Sequence, residues 1–162
     1  MEQILEMASI NYSSTINVSI PAIHRDKNPF RFCDRPLPTC NTGIVYMLVS
    51  VRNHAYTYIG MTNNISTRLQ QHNSGNGHAF TTPNRLRPWA LLAYIVGFDG
   101  NRSQMFAVER RWKSKRDLEY VRGVRCAKRI ARLAHGLIDS YQSNSMLSYN
   151  SCNLRLVLNF TD

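Results

Sequence analysis

The sequence predicts an α+β domain, a small and mainly antiparallel central sheet of three or more strands flanked by helices. Two runs rich in β-branched residues, Gly43–Val51 and Ala55–Gly60, are separated only by Arg52-Asn53-His54, the outline of an antiparallel hairpin. Trp89 to Phe98 is almost wholly apolar, as a buried central strand requires. Apolar residues then recur at helical spacing after Thr62, after Ser103 and after Arg125.

At 162 residues the chain suits one domain with a sizeable core and an appended segment, and is short for two. Twenty basic residues stand against ten acidic ones, a net charge of +10. That excess calls for an anionic partner, with nucleic acid ahead of an anionic membrane. No apolar run is long enough to span a bilayer and the first 25 residues have no secretory pattern, so an intracellular protein is expected, nuclear if its source is eukaryotic. Cys33, Cys40, Cys126 and Cys152 are scattered without metal-binding spacing and read as free thiols.

Residues 1–41 hold Pro21, Pro29, Pro36 and Pro38 among many Ser and Asn. Without a sustained period they are expected to form a flexible basic arm, whose Arg25, Lys27, Arg31 and Arg35 are available to a phosphate backbone. The domain proper is expected over residues 42–160. In its hairpin, folding about residue 52 or 53 sets Tyr46 roughly opposite Tyr58, so that two phenols share one face of the sheet.

The helix that follows carries Ile65, Arg68, Leu69 and His72 within about 100° of one another, which aims a guanidinium and an imidazole at the protein beside an apolar stripe. Asn73 or Gly75 is the expected stop. Thr81, Thr82, Asn84, Arg85 and Arg87 come next, all suited to hydrogen-bonding phosphates. Asp99-Gly100 turns the chain after the central strand.

Ser103 is a good N-cap for a helix from Gln104 to Arg116. Glu109 falls in the middle of its apolar face, about 40° from Met105 and flanked by Trp112 on one side and Phe106 on the other. A charge placed there needs a cation, a cluster of donors or a metal, because leaving it buried and unpaired costs several kcal/mol, roughly. An ion pair, with Arg68 as one partner, is the plain alternative to a site. Ten of the twenty basic residues lie between Arg110 and Arg132. Ala127, Ile130, Ala131, Ala134, Leu137 and Ile138 dock the third helix and turn Arg125, Lys128, Arg129 and Arg132 outward, a face suited to a polyanion. His135 is expected to pack or to edge that helix. Leu154–Leu158 reads as a final strand.

These residues meet a known pattern. Gly43-Ile44-Val45-Tyr46, with one apolar residue more than the tripeptide, stands before Tyr58-Ile59-Gly60, and eleven residues separate the two tyrosines. Arg68 lies eight residues beyond Gly60, His72 one turn later and Glu109 on a later helix. The chain thus resembles the GIY-YIG nuclease superfamily. Within it, Val45–Ser50, Thr57–Gly60, Gln71–Gly75, Arg87-Pro88-Trp89 and Val96-Gly97-Phe98 look most like the catalytic subunits of eukaryotic structure-specific endonucleases, which cut branched DNA. Those relatives carry a C-terminal RING-type zinc domain that holds a scaffold protein, and no counterpart is expected in these 162 residues.

The resemblance implies the GIY-YIG fold and a metal-dependent DNA endonuclease. Glu109 would hold one Mg²⁺ or Mn²⁺, and Tyr46 would act as general base or its relay. Arg68 and His72, both as cations, would ease ionisation of that phenol, Arg68 would brace the phosphate, and Tyr58 would orient water or phosphate. Arg85, Arg87, Arg110, Lys113, Arg125, Lys128, Arg129 and Arg132 are the expected DNA contacts. The rival readings are a binding module of the same fold that no longer cuts, and a mobile-element nuclease with a sequence preference.

Overall fold

The computed structural model describes residues 31–32, 36–39, 42–118, 124–143 and 154–161. Its elements run β1 (Arg31–Phe32), β2 (Ile44–Ser50), β3 (Thr57–Thr62), α1 (Ile65–Ser74), β4 (Trp89–Val96), α2 (Arg102–Leu118), α3 (Val124–Ser143), β5 (Arg155–Leu158) and β6 (Phe160–Thr161). Two short 3-10 turns, Ala79–Thr81 and Asn84–Leu86, lie between α1 and β4.

Every residue of β2 is buried, which suits a strand covered on both faces. It lies inside a four-stranded antiparallel sheet of order β3-β2-β4-β5. The pleat sends alternate residues to opposite faces. Val45, Met47, Val49 and Ile59 pack with Met105, Val108 and Trp112 of α2 and with Ala127, Ile130, Ala131 and Ala134 of α3. Ile44, Tyr46 and Leu48 pack on the other face with Ile65 and Leu69 of α1 and with Trp89 and Leu91. A register shift between β2 and β4 at Met47/Leu48 lets Ala90, Leu92, Ala93 and Ile95 all join the first of these cores, as a bulge does by inserting one residue. The Trp112 indole donates to the Ile130 carbonyl at 3.0 Å, tying α2 to α3.

The hairpin register differs from expectation by two residues. Tyr46 pairs with Gly60, and Tyr58 pairs with Leu48, because the strand after the turn begins at Thr57 rather than Ala55. A two-residue slip preserves the face, so the phenols remain on one side. Helix α2 starts at Arg102, and its cap is Asn101, whose side-chain oxygen accepts the Gln104 N–H at 3.0 Å, displacing Ser103 from that role. Gly75, at φ 89°, closes α1. The apolar positions expected to dock α3 are all buried, and β5 pairs with β4.

Most of the expected arm, including Arg25, Lys27 and Arg35, lies outside the described residues. Within it, β1 pairs antiparallel with β6, and Phe32 and Leu37 pack against the two cores. These two are the large apolar side chains among the described residues of that stretch, and their partial burial on the domain opposes a free arm there. The four cysteine side chains also fall outside the described residues. Among the described residues no helix is long and apolar enough to cross a membrane.

Candidate active site

Helix α1 is short and starts at Asn64, whose side chain accepts the Thr67 N–H at 2.9 Å, a regular N-cap. Ile65 and Leu69 dock it on the sheet and carry Arg68 and His72 with them, since residues three and four apart share a helical face. The target of both is Tyr46, which is fully buried. The Arg68 Nε–H donates to the Tyr46 hydroxyl at 3.3 Å. His72 Nε2 lies 2.9 Å from the same oxygen. A second arm of Arg68 donates to Gln71 Oε1 at 2.9 Å, which steers the guanidinium plane.

Tyr58 completes the cluster. Its ring centre is 6.2 Å from that of Tyr46 and 4.9 Å from that of His72, and the His78 ring lies 5.5 Å away. His72 is itself fully buried, with Nδ1 held 2.7 Å from Thr81 Oγ1. The glycines of the two motifs make room for this packing. At Gly60 an added Cβ would stand 2.8 Å from the Tyr46 hydroxyl. Gly43, at φ 90°, lies against Met105 of α2, so the loop into β2 passes close beneath that helix.

Burial governs the ionisation of the cluster. It pushes the Tyr46 phenol well above its ordinary value, and the opposing pull of Arg68 does not offset it, while Tyr58 and Glu109 raise it further. His72 is pulled down to about 4, by burial first and then by Arg68 and His78. It is therefore neutral at physiological pH and cannot serve as a second cation beside Tyr46, which corrects the sequence-based expectation. Desolvation disfavours the Arg68 charge, but its hydrogen bonds to Tyr46 and Tyr58 outweigh that and move it upward.

Glu109 projects from the middle of α2, mostly buried at 13 % side-chain exposure, near enough to Tyr46 to act on its ionisation. Its partner is Lys113 at 2.8 Å, through Oε1, in place of the ion pair with Arg68 that the sequence suggested. Residues four apart on a helix meet readily, whereas Arg68 is already engaged by Tyr46 and Gln71. Among the described residues no three His, Cys, Asp or Glu gather into a metal-binding group. A single hard carboxylate with one oxygen engaged by a displaceable lysine nevertheless fits a largely hydrated divalent cation, the way magnesium is commonly held.

The expected DNA contacts separate into groups. Arg85 and Arg110 are exposed. Arg87 turns inward and donates to the Asn73 carbonyl at 3.1 Å, where the C-terminal end of α1 attracts a cation. Thr81 is fully buried and does not face solvent as a phosphate contact would. Lys113 sits on Glu109. On α3, Arg129 and Arg132 are exposed; Lys128 donates to the Thr161 carbonyl at 2.9 Å, and Lys128 and Arg132 both lie over the Phe160 ring, 5.2 and 5.3 Å from its centre. The Arg125 side chain lies outside the described residues. Gln71 entered the sequence reading only as part of the resemblance, and its contact with Arg68, three residues away on the helix, was missed although that spacing signals one.

Residues 42–120 match the family model described as the GIY-YIG catalytic domain. The chain is 36 % identical over 83 residues to the structure-specific endonuclease subunit SLX1 of Ajellomyces capsulatus, an alignment covering 50 % of this chain and 20 % of that protein. It is 42 % identical over 66 residues to the protein of that name from Podospora anserina, covering 40 % and 18 %. For Chaetomium globosum the figures are 40 % over 65 residues, covering 39 % and 19 %. The similarity thus spans about a fifth of the length of these relatives, and the family model's residues 42–120 include Tyr46, Tyr58, Arg68, His72 and Glu109. Over residues 42–120 the chain is thus similar to the GIY-YIG catalytic domain.

Proposed function

We propose that this protein is a metal-dependent DNA endonuclease that hydrolyses phosphodiester bonds, with branched or flap DNA as its substrate in repair or recombination. The observation that carries the reading is a buried phenol, Tyr46, held between the Arg68 guanidinium and the His72 imidazole. Hydrolysis at phosphorus needs a proton acceptor for the attacking water, positive charge at the equatorial oxygens and help for the leaving 3′ oxygen.

Tyr46 takes the proton from the water. Arg68 neutralises and orients the phosphate, with Gln71 fixing its plane. Tyr58 stands at the open side of the cluster and orients water or phosphate. Glu109 would hold Mg²⁺ or Mn²⁺, which when bound supplies charge neutralisation at the phosphate and the leaving oxygen. The exposed Arg85, Arg110, Arg129 and Arg132 would follow the DNA backbone. The relatives are named as subunits, which supports a protein partner for this chain as well, and an enzyme of this kind works where DNA is kept, the nucleus in a eukaryote.

Incubation of the purified protein with Mg²⁺ and labelled flap, junction and plain duplex DNA tests the proposal. Nicking of the branched substrates is expected, with Glu109→Gln abolishing cleavage while DNA affinity stays within a few-fold. A shift of the DNA without nicking in the wild type overturns the enzyme reading in favour of a binding module, for which the lysine seated on Glu109 would be the structural reason. Cutting that follows sequence rather than branching overturns the substrate.

A further inference from the structure

The proton positions around Tyr46 follow from a count of donors. The described partners of its buried hydroxyl are Arg68 Nε and His72 Nε2. Arg68 can only donate. The single proton of the phenol must therefore point at His72 Nε2, or it is left buried without an acceptor, an arrangement that native interiors avoid. Nε2 then carries no hydrogen, and the one proton of the neutral imidazole sits on Nδ1.

The far side of the ring agrees. Nδ1 faces Thr81 Oγ1 at 2.7 Å, and the proton of that hydroxyl is directed to the His78 carbonyl at 2.8 Å. Thr81 thus accepts from Nδ1–H. The residue is fixed in place from three directions: its backbone N–H also donates to the His78 carbonyl at 2.8 Å, its own carbonyl accepts the Trp89 indole N–H at 3.0 Å, and its side chain has no exposure. In the opposite tautomer Nε2–H and Arg68 would both aim protons at the Tyr46 oxygen, and the phenol proton would have no acceptor.

We propose that Thr81 is a positioning residue that holds His72 in the Nδ1-protonated tautomer, so that Nε2 receives the Tyr46 proton during phosphodiester hydrolysis. The inference rests on the endonuclease reading for its consequence and on the hydrogen bonds alone for its geometry. In the step it implies, the water oxygen bonds to phosphorus as its proton passes to the Tyr46 oxygen. The original phenol proton passes to His72 Nε2, and the P–O3′ bond breaks with its electron pair on O3′, which takes a proton from solvent. His72 ends as an imidazolium that returns its extra proton to solvent. A free phenolate, which burial disfavours, never forms. Burial is the first cause of the neutral imidazole and the Arg68 charge the second; a phosphate on Arg68 offsets that second part and raises the ring's proton affinity when substrate arrives.

Thr81→Val removes the acceptor at nearly constant volume, and Thr81→Ser keeps it. The direct readout is the ¹⁵N spectrum of the His72 ring in the wild-type protein, without DNA or metal. A protonated Nδ1 and a bare Nε2 are expected, retained in Thr81→Ser and shifted toward protonated Nε2 in Thr81→Val. A protonated Nε2 in the wild type, or an unchanged tautomer in a folded Thr81→Val, overturns the proposal. In cleavage assays Thr81→Val should lose about 10²-fold in kcat with KM within a few-fold, and Thr81→Ser should restore most of it. The pH profile must be read against the groups facing His72, which are Tyr46, Tyr58, Arg68 and His78. A protein that shows the expected tautomer but never cuts DNA refutes the enzyme reading and leaves the hydrogen-bond assignment standing.

Discussion

Gly60 pairs directly with Tyr46 across the β2–β3 ladder, and the Tyr46 hydroxyl occupies the space that a side chain at position 60 would need. A Cβ there would lie 2.8 Å from that oxygen and 2.8 Å from the Tyr58 ring, closer than packed atoms tolerate. The glycine is thus required by side-chain packing rather than by its backbone angles. Gly60→Ala is expected to destabilise the fold by about 1–3 kcal/mol through overpacking and to move the phenol off Arg68 and His72. Urea denaturation together with a cleavage rate lowered tenfold or more, at DNA affinity within a few-fold, checks this. Wild-type activity in the variant would show that the close approach is not needed.

Arg68 holds its neighbours in order through one planar fork: it bonds Tyr46 from Nε and Gln71 from Nη1, and Tyr58 as well. Lysine keeps the charge and loses the fork. Arg68→Lys should therefore lower kcat by about 10²–10³, the scale of losing a preorganised donor at a reacting centre, while KM for DNA stays within a few-fold. Equal losses in binding and turnover would instead mark Arg68 as a general DNA contact.

The parts of this site that rest on periodicity were legible in the sequence. Arg68 and His72 had to share a face with Ile65 and Leu69, and a hairpin folded about residue 52 or 53 brings Tyr46 and Tyr58 out on one side, although a one-residue slip would have reversed that. What could not be read was distance and burial. Thr81 looks like a phosphate contact in a polar loop, and only the fold shows it sealed beneath His72. Arg87 looks equally free, yet it closes the end of α1. Glu109 was recognisable as a carboxylate out of place, but several arginines and lysines were available to it, and sequence offers no means of choosing Lys113 among them. The ionisation of Tyr46 misled for the same reason, since counting cations nearby ignores how much water burial removes.

Lys113 bonds the same carboxylate that a divalent ion would use, so the two compete. Pairs of this spacing, with the lysine partly exposed, contribute only about 0.3–1 kcal/mol. Removing the competitor by Lys113→Met should tighten Mn²⁺ binding by about two- to fivefold, the same energy expressed as affinity. Calorimetric titration with Mn²⁺ in the absence of DNA measures it. Unchanged affinity would mean that Glu109 does not receive the ion, a conclusion that Glu109→Gln, in the same titration, tests independently.

The ionisation of His72 makes the fold itself sensitive to acid. Its folded value lies at about 4, below the ordinary 6.5 of an unfolded histidine. Between those limits the unfolded chain binds a proton that the folded one refuses, so stability rises with pH across that window and is lost as pH falls through it. The contribution is complete near pH 7 and gone below about pH 4. With the ring fully buried, the depression corresponds to roughly 3 kcal/mol in all, of which about 2 should be lost between pH 7 and pH 4.5. His72→Gln cannot titrate and should lack this part of the acid loss. Urea denaturation of both proteins at the two pH values isolates it, because the carboxylates common to both cancel in the difference. Parallel losses in the two proteins would mean that His72 is protonated in the folded state at pH 4.5, and the neutral ring that the Tyr46 relay requires would then exist only at higher pH.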